Sequence, residues 1–308
     1  MIRLVLTRLV GALLVTFCVA TFGFLALRKA KGGPFDAEKA LPKEIELNIR
    51  RTYHLDWPLW RQYTHYLGGL ARGDLGWSLK RPGTTVNEII AENFPQSLRL
   101  GLAALGFALV FGVGLGVWAA ARQNRWQDHG AMAAALVGIS IPAFVLGPLL
   151  ILLFSLELGW LPPARWEGAR SMVLPALTLG LIYMGTIARL TRAGMLETIR
   201  QDYVRTARAK GLGEGRVIWK HALRLGILPV VTYLGPATAF LVTGSIVIET
   251  IFQIPGLGFY LVGSVVDRDY TTLAGVMVFY SVFLVLLNLV VDLAYGLLDP
   301  RIREARQA

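Results

Sequence analysis

The chain has 308 residues, of which 55% are hydrophobic and only 17% charged, with a mean hydropathy of +0.54 and a formal net charge of +11. A soluble globular domain carries about 25% charged residues, so this balance excludes an ordinary soluble domain and points to a polytopic membrane protein. The positive charge alternates with apolar runs too long for a soluble core, which sets aside nucleic acid as the partner of the basic residues.

Six charge-free runs follow one another at 9–27, 100–121, 131–156, 171–188, 225–248 and 270–291. A spanning helix needs about 20 apolar residues at about 1.5 Å rise each, so each run predicts a transmembrane helix. Lipid cannot satisfy an open backbone, and the short alternating segments of a barrel are absent. The fold class expected is therefore all-α, with six spans.

The first run follows Arg3 and Arg8 and reads as an uncleaved span. Its 19 apolar residues exceed the roughly 7–15 of a signal peptide. Residues 1–28 thus form an N-terminal end and first helix, and residues 29–97 an outer loop or cap. Counted from Arg28, that loop holds 11 basic and 8 acidic residues, with Trp57, Trp60 and Trp77. A helix within Asn48–Leu70, broken at Pro58, is expected there. The loop serves either as a spacer or as a platform for an external partner.

Residues 98–298 form a five-helix core. Gly112 and Gly116 in the second run make a GxxxG face suited to close helix approach. Pro142 and Pro148 in the third run cannot donate backbone hydrogen bonds and predict kinks. The fourth run is about 27 Å long, so Arg189 is expected to reach the headgroups by snorkelling.

Arg189–Arg224 is a 36-residue loop between the fourth and fifth runs, with nine Lys or Arg against three Asp or Glu. Leu196, Ile199, Tyr203 and Ala207 fall at helical spacing before Gly211. Ile218, Ala222 and Leu225 do so after it. Two short amphipathic helices are predicted, with Gly211 in the left-handed geometry that closes the first. Arg205, Arg208 and Lys210 cluster near its C-terminal end, where the helix dipole favours cations. Such a device suits a groove on a cytoplasmic protein; anionic lipid is the plainer partner for its charge.

The fifth run ends at Glu249. Twenty-four helical residues cover about 36 Å against a hydrocarbon core of about 30 Å, which puts Glu249 at the outer interface rather than at the bilayer centre. Pro255, Gly256 and Gly258 then break the helix. With Glu249 they make a candidate outer gate, and the apolar residues around them a re-entrant or interfacial piece. The tail is 299–308. Sixteen basic residues flank the runs on the side of both termini, against three in the short loops opposite, so the termini are expected in the cytoplasm.

No catalytic or metal site emerges. Cys18 has no partner for a disulfide, and His54, His65, His129 and His221 lack a metal-ligand spacing such as HExxH. Ser140, Ser155, Ser245 and Ser281 have no His or mid-depth acid beside them in the spans, which argues against an intramembrane hydrolase. The spans also lack the mid-membrane ionisable groups common in secondary carriers. No GxxxxGK[ST] phosphate loop occurs.

The segment YVRTARAKGL, Tyr203–Leu212, resembles the cytoplasmic coupling motif of ABC importer permeases of the peptide and nickel group, as does HALRLGILPVV, His221–Val231. Gly32–Asp56, Gly235–Gly258 and the ending Asp299–Arg303 are similar to the B subunits of oligopeptide permeases, and the resemblance spans essentially the whole chain. It implies a type I importer permease paired with a second, homologous permease subunit. Two cytoplasmic ATPases would bind the ATP and magnesium, and an external peptide-binding protein would deliver substrate. This chain itself would be non-catalytic and hold no cofactor. Tyr203, Arg205, Thr206, Ala207, Arg208, Ala209, Lys210, Gly211 and Leu212 would form the ATPase-coupling segment. Oligopeptides are the expected substrate, with dipeptides, glutathione, nickel chelates and peptide antibiotics as alternatives. One departure stands out: the general motif places I-x-L-P ten residues after its glycine. Here that position reads His221-Ala222-Leu223-Arg224, and the Leu-Pro pair falls at Leu228-Pro229.

Overall fold

The computed structural model describes residues 2–29, 54, 56–243 and 245–298. The expectations for Gly32–Tyr53, for Leu55 and for the ending 299–308 lie outside the described residues. Among the described residues the chain is helical, apart from one isolated bridge between Trp77 and Thr85. Four helical segments are long and apolar enough to cross a membrane: Val86–Ala121, Ala169–Thr198, Leu228–Ile251 and Tyr270–Val291. A bent pair, Trp126–Ser140 and Ala143–Glu157, makes a fifth if counted as one span, and Val10–Ala26 is a shorter apolar stretch.

In chain order, α1 is Ile2–Lys29, α2 Leu59–Ala71, α3 Val86–Ala121, α4 Trp126–Ser140 and α5 Ala143–Leu150, which continues as a π-helical turn over Ile151–Glu157. Then come α6, Ala169–Thr198, and α7, Asp202–Ala209. A composite helix α8 starts at Glu214–Arg216, is π-helical over Val217–Ala222 and ends with Leu223–Gly226. The remaining helices are α9 (Leu228–Val242), α10 (Ile246–Ile251), α11 (Leu257–Val266) and α12 (Tyr270–Leu298).

Helices overrun the apolar runs where local chemistry caps them. α3 begins fourteen residues before its apolar run, because Thr85 and Glu88 form a reciprocal cap. The Thr85 N–H donates to Glu88 Oε2 at 2.8 Å, and the Glu88 N–H donates to Thr85 Oγ1 at 3.2 Å. α6 likewise runs ten residues past its apolar part, to Thr198. The third run is broken within its length. Ile141 and Pro142 are extended, with ψ of 119° and 141°, and the helices on either side are bent by 105°. A residue before proline is driven out of the helical region, and the break falls at Pro142, where a kink is expected.

The chain divides into two compact units. The first combines residues 1–96 with 256–289. Its α1 meets α2 through Thr21 and Tyr63, whose hydroxyls lie 2.7 Å apart, and through Phe24, which packs on Tyr63 and Tyr66. Burial among these rings pushes the Tyr66 phenol up to about 12. The break expected at Pro58 is present, and α2 starts after it, at Leu59. Val86, Ile90, Leu257 and Val276 form the unit's core. Beside it, the buried Asp269 caps α12 by accepting from the Thr272 N–H at 3.1 Å. It also accepts from Ser78 Oγ and, at 3.1 Å, from the Leu79 N–H.

The second unit combines 97–255 with 290–308. Its helices α3 and α6 cross closely: a Cβ on Gly112 would stand 2.9 Å from the Met184 carbonyl oxygen, and one on Gly116 would stand 2.5 Å from that of Ala188. The GxxxG face therefore does what its spacing predicts. One apolar cluster, with Leu100, Leu174, Leu241 and Phe252, lies near the middle of α3 and the start of α6. Another, with Val117, Ala120 and Met195, lies at their far ends. Leu100 and Ala120 are about 30 Å apart along α3 at 1.5 Å per residue, close to the thickness of a bilayer core.

Candidate coupling segment and outer turn

The far ends of α3 and α6 carry the coupling segment. α6 stops at Thr198, and residues 199–201 turn the chain into α7. The predicted continuous helix up to Gly211 is thus two helices at this turn. Among the side chains of α7 only Val204 and Ala207 are buried. They join Val117, Ala120, Met195, Val217 and Ala222 in one cluster, with Leu196, Ile199 and Leu212 packed against it. The apolar stripe is therefore Val204 and Ala207. Tyr203, expected in it, is 38% exposed, and its hydroxyl donates to the His221 carbonyl at 3.4 Å. Partial burial still raises the Tyr203 phenol. In α8 the buried residues are Val217, Ala222 and Gly226, while the expected Leu225 is 49% exposed.

Arg205, Thr206, Arg208, Ala209 and Lys210 are exposed on the opposite face. Gly211 has φ +74°, the left-handed closure predicted for it, which costs a non-glycine residue about 1–2 kcal/mol. The Gly211 N–H donates to the Arg208 carbonyl at 2.9 Å, and that of Leu212 donates to Ala207 at 3.4 Å. These bonds satisfy carbonyls that a helix end leaves open. Arg208 then bridges the turn to Glu214, with Nη2–Oε1 at 2.7 Å and Nε–Oε2 at 3.1 Å. Each raises or lowers its partner: the Arg208 hydrogen bonds hold the Glu214 carboxyl below its usual range, and Glu214 raises the guanidinium. The segment is a short helix seated by two apolar side chains, closed by glycine, with its cations outward.

The displaced Leu228-Pro229 pair has a structural role. Pro229 sits in the first turn of α9, where its missing N–H costs nothing.

Of the four candidate gate residues, Glu249 lies in α10 and is 0% exposed. Its Oε1 accepts from Ser97 Oγ at 2.8 Å, and its carbonyl accepts from the Ile254 N–H at 2.8 Å. α9 ends at Val242 and α10 starts at Ile246 with Ser245 as its cap, and the stretch Leu228–Ile251 is long and apolar enough to make one span. Pro255 is exposed and closes the second unit, whereas Gly256 and Gly258 are buried in the first. The apolar piece after them is the helix α11. Among the described residues no group of three His, Cys, Asp or Glu is placed to hold a metal.

Sequence reasoning missed three anchoring residues: Val204, Asp128 and Glu214. Val204 lies one position from the stripe as read. The acids pair with Arg192 and Arg208, and only the second pair is close enough in sequence to be read there.

Residues 112–304 match the family described as binding-protein-dependent transport system inner membrane component. The chain is 43% identical over 305 residues to the oligopeptide transport system permease protein OppB of Haemophilus influenzae, covering 98% of this chain and 100% of that one. It is 46% identical over 285 residues to the dipeptide transport system permease protein DppB of Bacillus subtilis, covering 92% of each. To the glutathione transport system permease protein GsiC of Escherichia coli it is 42% identical over 308 residues, covering 98% and 99%. Among solved structures it resembles the MetNI methionine ABC transporter in inward-facing form, with a TM-score of 0.58 at 18% identity over 68% of this chain and 96% of that one. An amino acid ABC transporter gives a TM-score of 0.52 at 15% identity over 67% and 92%. These two likenesses establish the type I importer permease fold. Relatives aligned nearly end to end and a family match over most of the helical core agree, and the chain belongs to the binding-protein-dependent transport system inner membrane components, the multi-pass permease subunits of ABC importers.

Proposed function

We propose that this chain forms half of the translocation path of an oligopeptide importer and converts ATPase closure into alternating access. The single observation that carries the coupling role is α7. It is a helix anchored by Val204 and Ala207, with Arg205, Thr206, Arg208 and Lys210 facing outward. Its seat joins α3 and α6, two membrane-length helices, so force on α7 reaches the bundle directly. The partners are a second homologous permease subunit, two cytoplasmic ATPases that hold ATP and magnesium, and an external peptide-binding protein. The coupling segment, the 122–125 turn and both termini face the cytoplasm. This reading is supported by the shared end at which the two basic turns meet and by the positive-inside rule. Glu249, Pro255, Gly256 and Gly258 belong to the turn between the fifth and sixth apolar runs, at the outer side in this orientation.

Oligopeptide substrates are favoured by the likeness to OppB along the full chain, and tri-alanine serves as the probe. The test is uptake of labelled tri-alanine by cells whose own copy is deleted and replaced. The restored chain should return ATP-dependent uptake, and deletion of Arg205–Gly211 should abolish it while the complex still assembles. Uptake that survives that deletion would refute the coupling role. Restoration of dialanine or glutathione uptake alone would move the substrate to those classes.

A further inference from the structure

Asp128 is the most buried carboxylate at the coupling end of the second unit, 1% exposed in the first turn of α4. Its Oδ1 accepts from Arg192 Nε at 2.5 Å and its Oδ2 from Arg192 Nη2 at 2.7 Å. Oδ2 also accepts from the Asn124 N–H at 2.9 Å. Asn124 has φ +61°, so the same carboxylate closes the left-handed turn between α3 and α4. Arg192 lies in α6 next to Thr191, which packs against Gly116 of α3, and one turn before Met195 in the seat of α7. One carboxylate therefore joins the α3–α4 turn, α4 and α6 beside the coupling segment.

Stability alone gives a weak reason for such a pair, because apolar residues of similar volume usually do as well as a buried ion pair. A bidentate fork does something they cannot: it fixes distance and direction between two helices. What it fixes here is α4, the helix that ends at the 105° break at Ile141–Pro142, against α6, the helix that leads into α7.

We propose that Asp128 and Arg192 are positioning residues of the transport cycle, whose ion pair makes α4 and α6 move as one body when α7 is displaced, carrying that displacement to the broken helix pair. This rests on the reading of α7 as the ATPase-docking helix.

The test uses the whole complex, purified through a tag on this chain and reconstituted in vesicles. Uptake of labelled tri-alanine and ATP hydrolysis are measured together. Asp128→Asn, Arg192→Gln and Arg192→Lys are each expected to raise the ATP hydrolysed per tripeptide taken up at least tenfold, the lysine because it cannot form the fork. The double variant Asp128→Asn with Arg192→Gln should be no worse than either single one, since the two act as a unit. Assembled variants that keep the wild-type ratio, or a double variant whose effects multiply, would overturn the proposal. Should the variants fail to assemble, spin labels at the exposed Ala133 and Ala193, with Cys18 replaced by serine, test it in the intact pair. Their separation should be the same in the nucleotide-free and vanadate-trapped complex, and a changed separation would overturn the proposal. Wild-type vesicles without ATP-dependent tripeptide uptake would instead refute the importer reading beneath it.

Discussion

Val204 should hold the coupling helix in place, and its truncation should loosen that helix without unfolding the protein. The side chain is 0% exposed and shares the burial of α7 only with Ala207. Val204→Ala removes two methyl groups, worth about 1.6 kcal/mol in transfer free energy. With partial collapse of the cavity the loss comes to about 2 kcal/mol. If α7 undocks as a local unit, the undocked population rises roughly thirtyfold. Hydrogen exchange of the amides of 202–212 in the assembled complex measures this directly. The amides of α6 serve as the internal reference, and the wild-type complex is the control. Faster exchange confined to 202–212, with a matching loss of tripeptide uptake, is the expected result. Exchange no faster than in wild type would refute the claim that Val204 seats the helix.

Gly116→Leu should cost at least about 1–3 kcal/mol through overpacking, because even its Cβ would stand 2.5 Å from the Ala188 carbonyl oxygen; thermal unfolding of the detergent-solubilised complex reports it. Gly211→Ala should cost about 1–2 kcal/mol from the left-handed φ and Gly211→Asn distinctly less, read by exchange at Gly211–Gly213. The Glu214 carboxyl is held below its ordinary range by Arg208, so its pair stabilises the loop above that range and the contribution is lost as pH falls through the lowered value. Both groups are partly exposed, at 38% and 57%, so Glu214→Gln should cost under about 1 kcal/mol at neutral pH, and the difference from wild type should vanish in acid. Glu249→Ala removes the hydrogen bond from Ser97 Oγ and should lower stability by about 1 kcal/mol. Glu249→Gln keeps an acceptor and should lie between Ala and wild type in the same unfolding assay.

Much of the architecture is legible because lipid leaves the chain few choices. Long apolar runs must be helices, and a GxxxG pair on one of them must meet another backbone, as Gly112 and Gly116 do on α6. The closure at Gly211 is legible because φ is a local property. Helix ends were harder to place. Thr85 and Glu88 spell a reciprocal cap in the sequence, yet hydropathy alone starts the helix fourteen residues later. The capping signal is local hydrogen bonding and carries no apolar signature. Tyr203 was placed in the apolar stripe by counting along one uninterrupted helix. The turn at 199–201 resets the helical phase and brings Val204 inward instead. Asp128 and Arg192 are 64 positions apart, and no local pattern announces their pairing.

Glu249 shows how a membrane chain carries a carboxylate at the end of an apolar run. α10 is a separate capped helix after α9. In it Glu249 is 0% exposed and accepts a hydrogen bond from Ser97 of α3, 152 positions away. No local pattern announces that pairing. In the third apolar run Pro142 starts a new helix. Both irregular segments flank the cluster formed by Leu100, Leu174 and Phe252, at the end of the unit opposite the coupling helix. Broken helices supply the joints that rigid spans lack. Under the proposed coupling role, a bundle driven from one end by α7 needs such joints at the other end, and the departures from straight helices lie there.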